Sequence, residues 1–280
     1  MKLAFLIGYD GRNFAGSQFQ PDKRTVEGEF IETGISMKLW DSPKAAEFRT
    51  AGRTDKGVSA RKQLITVRTD KPDLAKEALN FHLPDDIWCV GFAEVDDAFS
   101  ARYSATQRTY RYYFPYPLDS SKMNEAAKLF EGTHDFSGFS KMEKGRDPIR
   151  TVISSRVFDS PSGTVFEISA KSFLWNMVRG MAGILQCVGL GLCGCEEIAK
   201  QLANPEYRIH PAPAEGLLFY DISCGLEFKP MRQKDEVKRN FSRSASAARL
   251  ETFVSEALLE DDAVKFWKED CERKYSTIIK

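Results

Sequence analysis

The sequence predicts an α+β or mixed α/β fold, and three observations carry that expectation. Strand-like runs alternate with apolar helical stripes along the chain. The strand–helix–strand theme occurs in each of two successive halves. Some strands follow one another with no helix between them, which mixes adjacent strands into the wound pattern. No internal sequence repeat accompanies the recurring theme.

Taken in order, residues 3–8 read as a buried strand. Residues 26–39 place Phe30, Ile31, Ile35 and Leu39 on one helical stripe. Residues 64–67 read as a strand, and residues 74–81 as a short helix that Pro84 ends. Residues 87–95 are rich in β-formers. Residues 109–114 alternate, setting Tyr110, Tyr112 and Phe114 on one face. A connecting stretch from 115 to about 147 holds a helix at 124–130.

The second half repeats the theme. Residues 151–158 and 165–173 are strands, the latter with Phe166, Ile168 and Ala170 on one face. Leu174, Met177, Val178, Met181, Leu185 and Val188 recur at helical spacing. Residues 196–202 form a short helix and 217–222 a strand. These elements divide the chain into an N-terminal α+β half at 1–115, a C-terminal α+β half at 116–228, and a charged helical tail at 229–280.

Composition narrows the function classes. No apolar run approaches the roughly 18 residues of a membrane span. The apolar N-terminus lacks a small-residue cleavage site after it and runs straight into Tyr9 and Asp10, so a cytoplasmic protein is expected. The six cysteines are scattered, and the Cys193-Gly194-Cys195 pair has the wrong spacing for zinc, with no histidine nearby. Reduced thiols, no metal and no cofactor are expected. The 40 basic and 40 acidic residues cancel, which argues against a uniformly basic RNA-coating protein. A local basic cleft remains compatible with that balance. One window, 229–249, is basic: Lys229, Arg232, Lys234, Lys238, Arg239, Arg243 and Arg249 stand against Asp235 and Glu236.

The most informative segment is Ala-Gly-Arg-Thr-Asp-Lys-Gly-Val-Ser-Ala at 51–60. It sets one carboxylate, Asp55, between Arg53 and Lys56, which favour its ionised form. Gly52 and Gly57 are expected to supply the unusual backbone angles of a tight turn. An ionised carboxylate on a rigid, cationic loop can act as a nucleophile beside a polyanionic substrate. A structural Arg–Asp pair in a turn is the competing reading.

The same segment resembles the R-T-D-x-G-V-x-A signature of the TruA-type tRNA pseudouridine synthases. Five further blocks resemble that family, in family order. They are Tyr9-Asp10-Gly11 with Phe14-Ala15-Gly16-Ser17-Gln18, then Phe99 to Thr106 leading into Tyr110-Arg111-Tyr112. Gly132-Thr133-His134-Asp135-Phe136, Met177-Val178-Arg179 and Ala212-Pro213-Ala214-Glu215-Gly216-Leu217 complete the set. The resemblance implies a pseudouridine synthase fold: two similar α+β halves sharing one mostly antiparallel sheet, with a cleft between them. The tail then stands as a C-terminal helical extension.

The resemblance also implies roles. Asp55 becomes the catalytic carboxylate, Tyr110 the pocket tyrosine that stacks on the uracil, and Arg179 a pocket residue paired with that carboxylate. Arg53 and Lys56 share in this or contact phosphate, and Arg102 is an RNA or structural contact. Tyr112 reads as core, and His134 and Asp135 as packing and capping residues. The implied substrate is the tRNA anticodon stem-loop near positions 38 to 40, with tRNA bound by a homodimer. Three departures concern substrate details. Ser59 stands where the family often has histidine. Ser17 stands where it usually has tryptophan, which removes an aromatic available for packing or RNA contact. Trp175-Asn176 stands where histidine or other polar residues are common. A non-catalytic RNA-binding protein on the same scaffold and a nucleosidase are the rival functions. An intact Asp55, Tyr110 and Arg179 set argues against the first, and the lack of a second paired acid argues against the second.

Overall fold

The structure is a computed structural model that describes residues 1–161, 163–258 and 262–279, so tail residues 259–261 and 280 lie outside it. In chain order the elements begin with β1 (Lys2–Tyr9), α1 (Val26–Ser36), β2 (Arg49–Thr50), β3 (Ser59–Arg68), α2 (Pro72–His82), β4 (Ile87–Val95) and α3 (Ala101–Ser104). They continue with β5 (Gln107–Tyr113), α4 (Ser120–Lys128), β6 (Gly132–Asp135), β7 (Ile149–Ser160), β8 (Gly163–Ala170), α5 (Met177–Gly189) and α6 (Cys195–Ala203). The chain ends with β9 (Leu217–Ser223), β10 (Lys229–Pro230), α7 (Asp235–Leu258), α8 (Ala263–Lys274) and α9 (Ser276–Ile279). The chain is α+β, with a helical C-terminal part. Among the described residues no helix is long and apolar enough to cross a membrane.

Two compact units divide the chain: residues 1–108 with 218–243, and residues 109–217 with 244–280. In the first, the strand order is β10-β4-β1-β3-β9, with β2 on β3. The pairs are antiparallel except β3 with β9, where Ser59 faces Leu218 and Ala60 faces Phe219 in parallel. That pairing returns 218–223 to the first unit after a long excursion of the chain. Strand β1 is buried from Leu3 to Tyr9, as a strand covered on both faces must be, and its sequence is correspondingly an unbroken apolar run up to Gly8. Helix α1 packs Phe30 against Phe5, Trp40 and Phe48, with ring centroids 5.8 to 6.2 Å apart. The Thr25 hydroxyl starts α1 by accepting from the Gly28 amide. The helix stops at Ser36 rather than at 39, because Lys38 takes a left-handed backbone, φ 56°.

The second unit orders its strands β5-β8-β7-β6. Thr109 bonds Ser169 and Arg111 bonds Glu167, so β5 and β8 run antiparallel. Phe130 packs edge-on to Phe139 and tilted against Phe166, a cluster between helix and sheet. The helix expected at 124–130 begins earlier, at Ser120, because the Asp119 carboxylate caps it through the Lys122 amide. Helix α5 is buried on nearly every side, with Arg179 the one residue from Met177 to Val188 outside the buried set. Four-residue and two-residue strands, β6, β2 and β10, were not expected from sequence; such lengths carry no periodic signal.

The last helices complete the core of this unit. Tyr275, 1% exposed, sets its ring perpendicular to His210. Cys271 accepts from Gln186 of α5, and Trp267 packs on Tyr116. Gly183 of α5 leaves the space the Tyr275 hydroxyl fills: a Cβ there would meet that oxygen at 2.9 Å. The hydroxyl has no hydrogen-bond partner among the described residues. Tyr275→Ala is therefore expected to cost about 3 to 5 kcal/mol, in the range of deleting a large buried aromatic. Tyr275→Phe removes only an unpaired polar atom and is expected to be neutral or slightly stabilising. Urea melts of the two variants check this; a large loss in the phenylalanine variant contradicts it.

Candidate active site

The segment at 51–58 leaves β2 and enters β3, and its backbone is pinned at Ala51, Gly52, Thr54, Asp55 and Val58. The Ala51 amide donates to the Leu64 carbonyl at 2.9 Å. The Ala51 carbonyl accepts from both Nε and Nη2 of Arg108, at 3.2 and 2.7 Å. Nη2 also donates to the Arg102 carbonyl at 2.9 Å, so this buried guanidinium ties the loop to α3. The Gly52 carbonyl accepts from the Thr50 hydroxyl and the Gln63 amide. The buried Thr54 hydroxyl bonds the Tyr9 hydroxyl at 2.8 Å. The Thr54 amide donates to the Ser17 hydroxyl at 2.8 Å, and the Thr54 carbonyl accepts from the Ser17 amide at 3.1 Å.

Asp55 follows Thr54 at the head of a tight turn. The Val58 amide donates to the Asp55 carbonyl at 3.1 Å, and Gly57 has φ 86°. That angle at the third position of a turn suits glycine. Gly52 corrects the sequence expectation: it is outside the left-handed region, and a Cβ there would meet only ordinary contacts at 3.7 Å or more. The side chain of Asp55 is half-buried, while Arg53 and Lys56 are exposed. Arg102 is exposed too, its guanidinium 5.7 Å from the Tyr103 ring centroid.

The remaining expected site residues belong to the second unit. Tyr110 lies on the buried face of β5, 8% exposed, with its ring perpendicular to Phe173 at 5.1 Å. Tyr112 is fully buried on the same face, and burial pushes its hydroxyl well above the ordinary tyrosine range. Arg179 projects from the first turn of α5. Its Nε donates to the Ala212 carbonyl at 2.7 Å, and its own carbonyl accepts from the Ala212 amide at 2.9 Å. Nη1 reaches the Asn176 side-chain oxygen at 3.4 Å, with Asn176 in a left-handed cap at φ 64°. Two of the sequence blocks, Met-Val-Arg and Ala-Pro-Ala, therefore interlock through this arginine. His134 bonds the Glu131 carbonyl, and Asp135 caps a short turn through the Ser137 amide, in line with structural roles.

Three contributors were missed. Arg108, Ser17 and Tyr9 hold the loop through side-chain bonds to residues 37 to 57 positions distant. The signal for Arg108 was present: it alternates with Tyr110 on the inward face of β5. In sequence Ser17 reads as the loss of a tryptophan, but its hydroxyl accepts from the Thr54 amide, which an indole cannot do. No group of three or more His, Cys, Asp or Glu side chains is placed to hold a metal among the described residues.

In the first unit the loop presents one half-buried carboxylate, and in the second an arginine is held at a helix start. A family model described as tRNA pseudouridine synthase matches residues 126–223. A protein named tRNA pseudouridine synthase A from Methanocorpusculum labreanum is 62% identical over 281 residues, 100% of each chain. Its namesake from Methanoculleus marisnigri is 52% identical over 82% of this chain and 86% of that one. The Thermococcus kodakarensis protein of the same name is 43% identical over 89% and 97%. The chain belongs to the tRNA pseudouridine synthase A family, whose members are isomerases acting on tRNA uridines.

Burial pushes the Tyr9 hydroxyl up to about 12, against the downward pull of its bonds to Thr54, Gln63 and Ser17. The unfolded tyrosine ionises near pH 10, so between those values the unfolded chain binds fewer protons than the folded one. Stability from this group is thus complete below about pH 10 and is lost as pH rises through 12. Urea melts at pH 9 and pH 11 are expected to show wild type losing about 1 kcal/mol more than Tyr9→Phe. Equal losses count against the burial account.

Proposed function

We propose that this chain isomerises uridine to pseudouridine in the tRNA anticodon stem-loop, near positions 38 to 40, with Asp55 as its catalytic carboxylate. The observation that carries the reading is the Asp55 loop itself: the backbone is tied at Ala51, Gly52, Thr54 and the Asp55 carbonyl, and the Asp55 side chain is half-buried. Rigidity of that kind favours chemistry, since effective molarity depends on a fixed approach. In the reaction the bond from ribose C1′ to N1 breaks and a bond from C1′ to C5 forms. C5 loses a proton and N1 gains one, so substrate and product have the same atoms and no redox carrier is needed. Asp55 either bonds to the ribose or the base, or takes a proton from the sugar.

The target uridine must leave its stack, at a cost of a few kcal/mol. Tyr110 offers a ring to receive the uracil, and stacking returns about 1 to 3 kcal/mol per base. Arg179 is assigned to the uridine pocket, its guanidinium oriented by Ala212 and Asn176. The exposed Arg53, Lys56 and Arg102 are assigned to phosphates, which position an RNA without reading its sequence. The protein works in the cytoplasm as a homodimer on tRNA.

Asp55→Asn is expected to lose more than about 10³-fold in rate, some 4 kcal/mol of barrier, while tRNA still binds. Pseudouridine mapping of tRNA transcripts measures it. Turnover within tenfold of wild type removes Asp55 from the chemistry, and release of free uracil makes the enzyme a nucleosidase.

The basic window at 229–249 is assigned to tRNA affinity. Lys234 is committed to the Leu83 carbonyl and Asp85, and Arg239 and Arg243 to Glu236. Lys229, Arg232, Lys238 and Arg249 are exposed. Replacing these four with glutamine is expected to weaken binding and flatten its salt dependence by about 0.9 per lost duplex-phosphate contact. The single-turnover rate at saturating tRNA is expected to hold. Identical affinity and slope at two salt concentrations mean that the window does not touch RNA.

A further inference from the structure

The segment just before α1 passes beneath the Asp55 loop. Gly16 makes the approach possible: its φ is 120°, and a Cβ there would lie 3.1 Å from the Thr54 carbonyl oxygen. Ser17 then meets both polar groups of the Thr54 backbone, one with its hydroxyl and one with its amide. Tyr9 meets the third polar group, the Thr54 hydroxyl. All three residues are buried, so these bonds face no competition from water.

The segment is itself anchored. The carbonyls of Gly16 and Ser17 accept from the Val26 and Glu27 amides, at 3.4 and 3.0 Å, two of the amides that a helix start leaves without intrahelical partners. The Ala15 amide donates to the Arg24 carbonyl at 2.9 Å. Ser17 therefore cannot drift with the loop; it holds the loop against α1.

We propose that Ser17 and Tyr9 are positioning residues, which clamp Thr54 on all three of its polar groups and thereby aim the side chain of Asp55. The inference rests on the reading of Asp55 as the catalytic carboxylate. The physical step is short. Bonding the Thr54 amide and carbonyl fixes the peptide planes on both sides of that residue. The second plane contains the Asp55 nitrogen and so fixes where the Asp55 Cα lies, leaving rotation about the Asp55 N–Cα bond to set where its Cβ points. Beyond it, the turn closed by the Val58 amide prevents a compensating rotation. Misplacement by about 1 Å at a reacting group costs on the order of 10²-fold in rate.

The test measures single-turnover pseudouridine formation at saturating tRNA, tRNA Kd and Tm for four variants of the full chain. Ser17→Ala removes one hydroxyl and leaves the Thr54 amide buried without that acceptor. Its rate is expected to fall about 10- to 100-fold with Kd within twofold, and Ser17→Thr, which keeps an oxygen, to recover most of the loss. Tyr9→Phe is expected to lower the rate at unchanged Kd, and carries the test if Ser17→Ala does not fold at the assay temperature. A role confined to stability predicts lower Tm with unchanged rate below it. Rates of Ser17→Ala and Tyr9→Phe within twofold of wild type, with Asp55→Asn inactive, overturn the inference and leave the Asp55 assignment standing. If Asp55→Asn is itself active, the assignment fails and the inference with it.

Discussion

Strand β1 is hydrogen-bonded on both edges, to β3 and to β4, and is buried along nearly its whole length. Pairing of Leu3 with Val67 and of Phe5 with Ile65 sets the register of β3, and that register sets where β3 begins. Its first residues, Ser59 and Ala60, are held on the other edge by β9. The Asp55 loop hangs from this start. Its far end is held to β3 as well, through the Ala51 amide and the Leu64 carbonyl. A strand that could slip would carry the loop with it, so the burial of β1 fixes the position of Asp55 as well as the fold.

The second unit solves a different problem. Arg179 stands half-buried on a helix that is otherwise buried almost all round, and a guanidinium partly shielded from water needs hydrogen-bond acceptors. Backbone oxygens provide them here: Ala212 bonds Arg179 twice, side chain and main chain. Arg108 in the first unit is treated the same way, with the carbonyls of Ala51 and Arg102. In each case the bonds to backbone oxygens fix the direction of the guanidinium.

Much of this was legible in sequence. The strand at 87–95 and the alternation of Tyr110 and Tyr112 follow from β-propensity and period alone, and the structure bears both out. The turn at Gly57 follows from glycine chemistry. What escaped reading was tertiary hydrogen bonding. Ser17 and Thr54 are 37 residues apart, and a serine that accepts from a distant amide looks in sequence like any small polar residue. Gly52 misled for the opposite reason, since a glycine in a loop invites a left-handed angle it does not adopt. The charged composition of the tail likewise concealed Cys271, Tyr275 and Ile278, which are buried.

The placement of Tyr275 has a consequence for biosynthesis. A chain made from its N-terminus releases α5 almost a hundred residues before the side chain that fills the space at Gly183. The first unit likewise waits for 218–243 before its sheet has all its strands. Neither unit can therefore close until residues far downstream of its first strand have been made, unlike an early domain built from one continuous stretch. Closure of the second unit waits on the helices at 263–279. Premature termination anywhere before Tyr275 would leave the second unit's apolar interior open to solvent, so an unfinished copy is marked for aggregation or degradation rather than released to bind RNA.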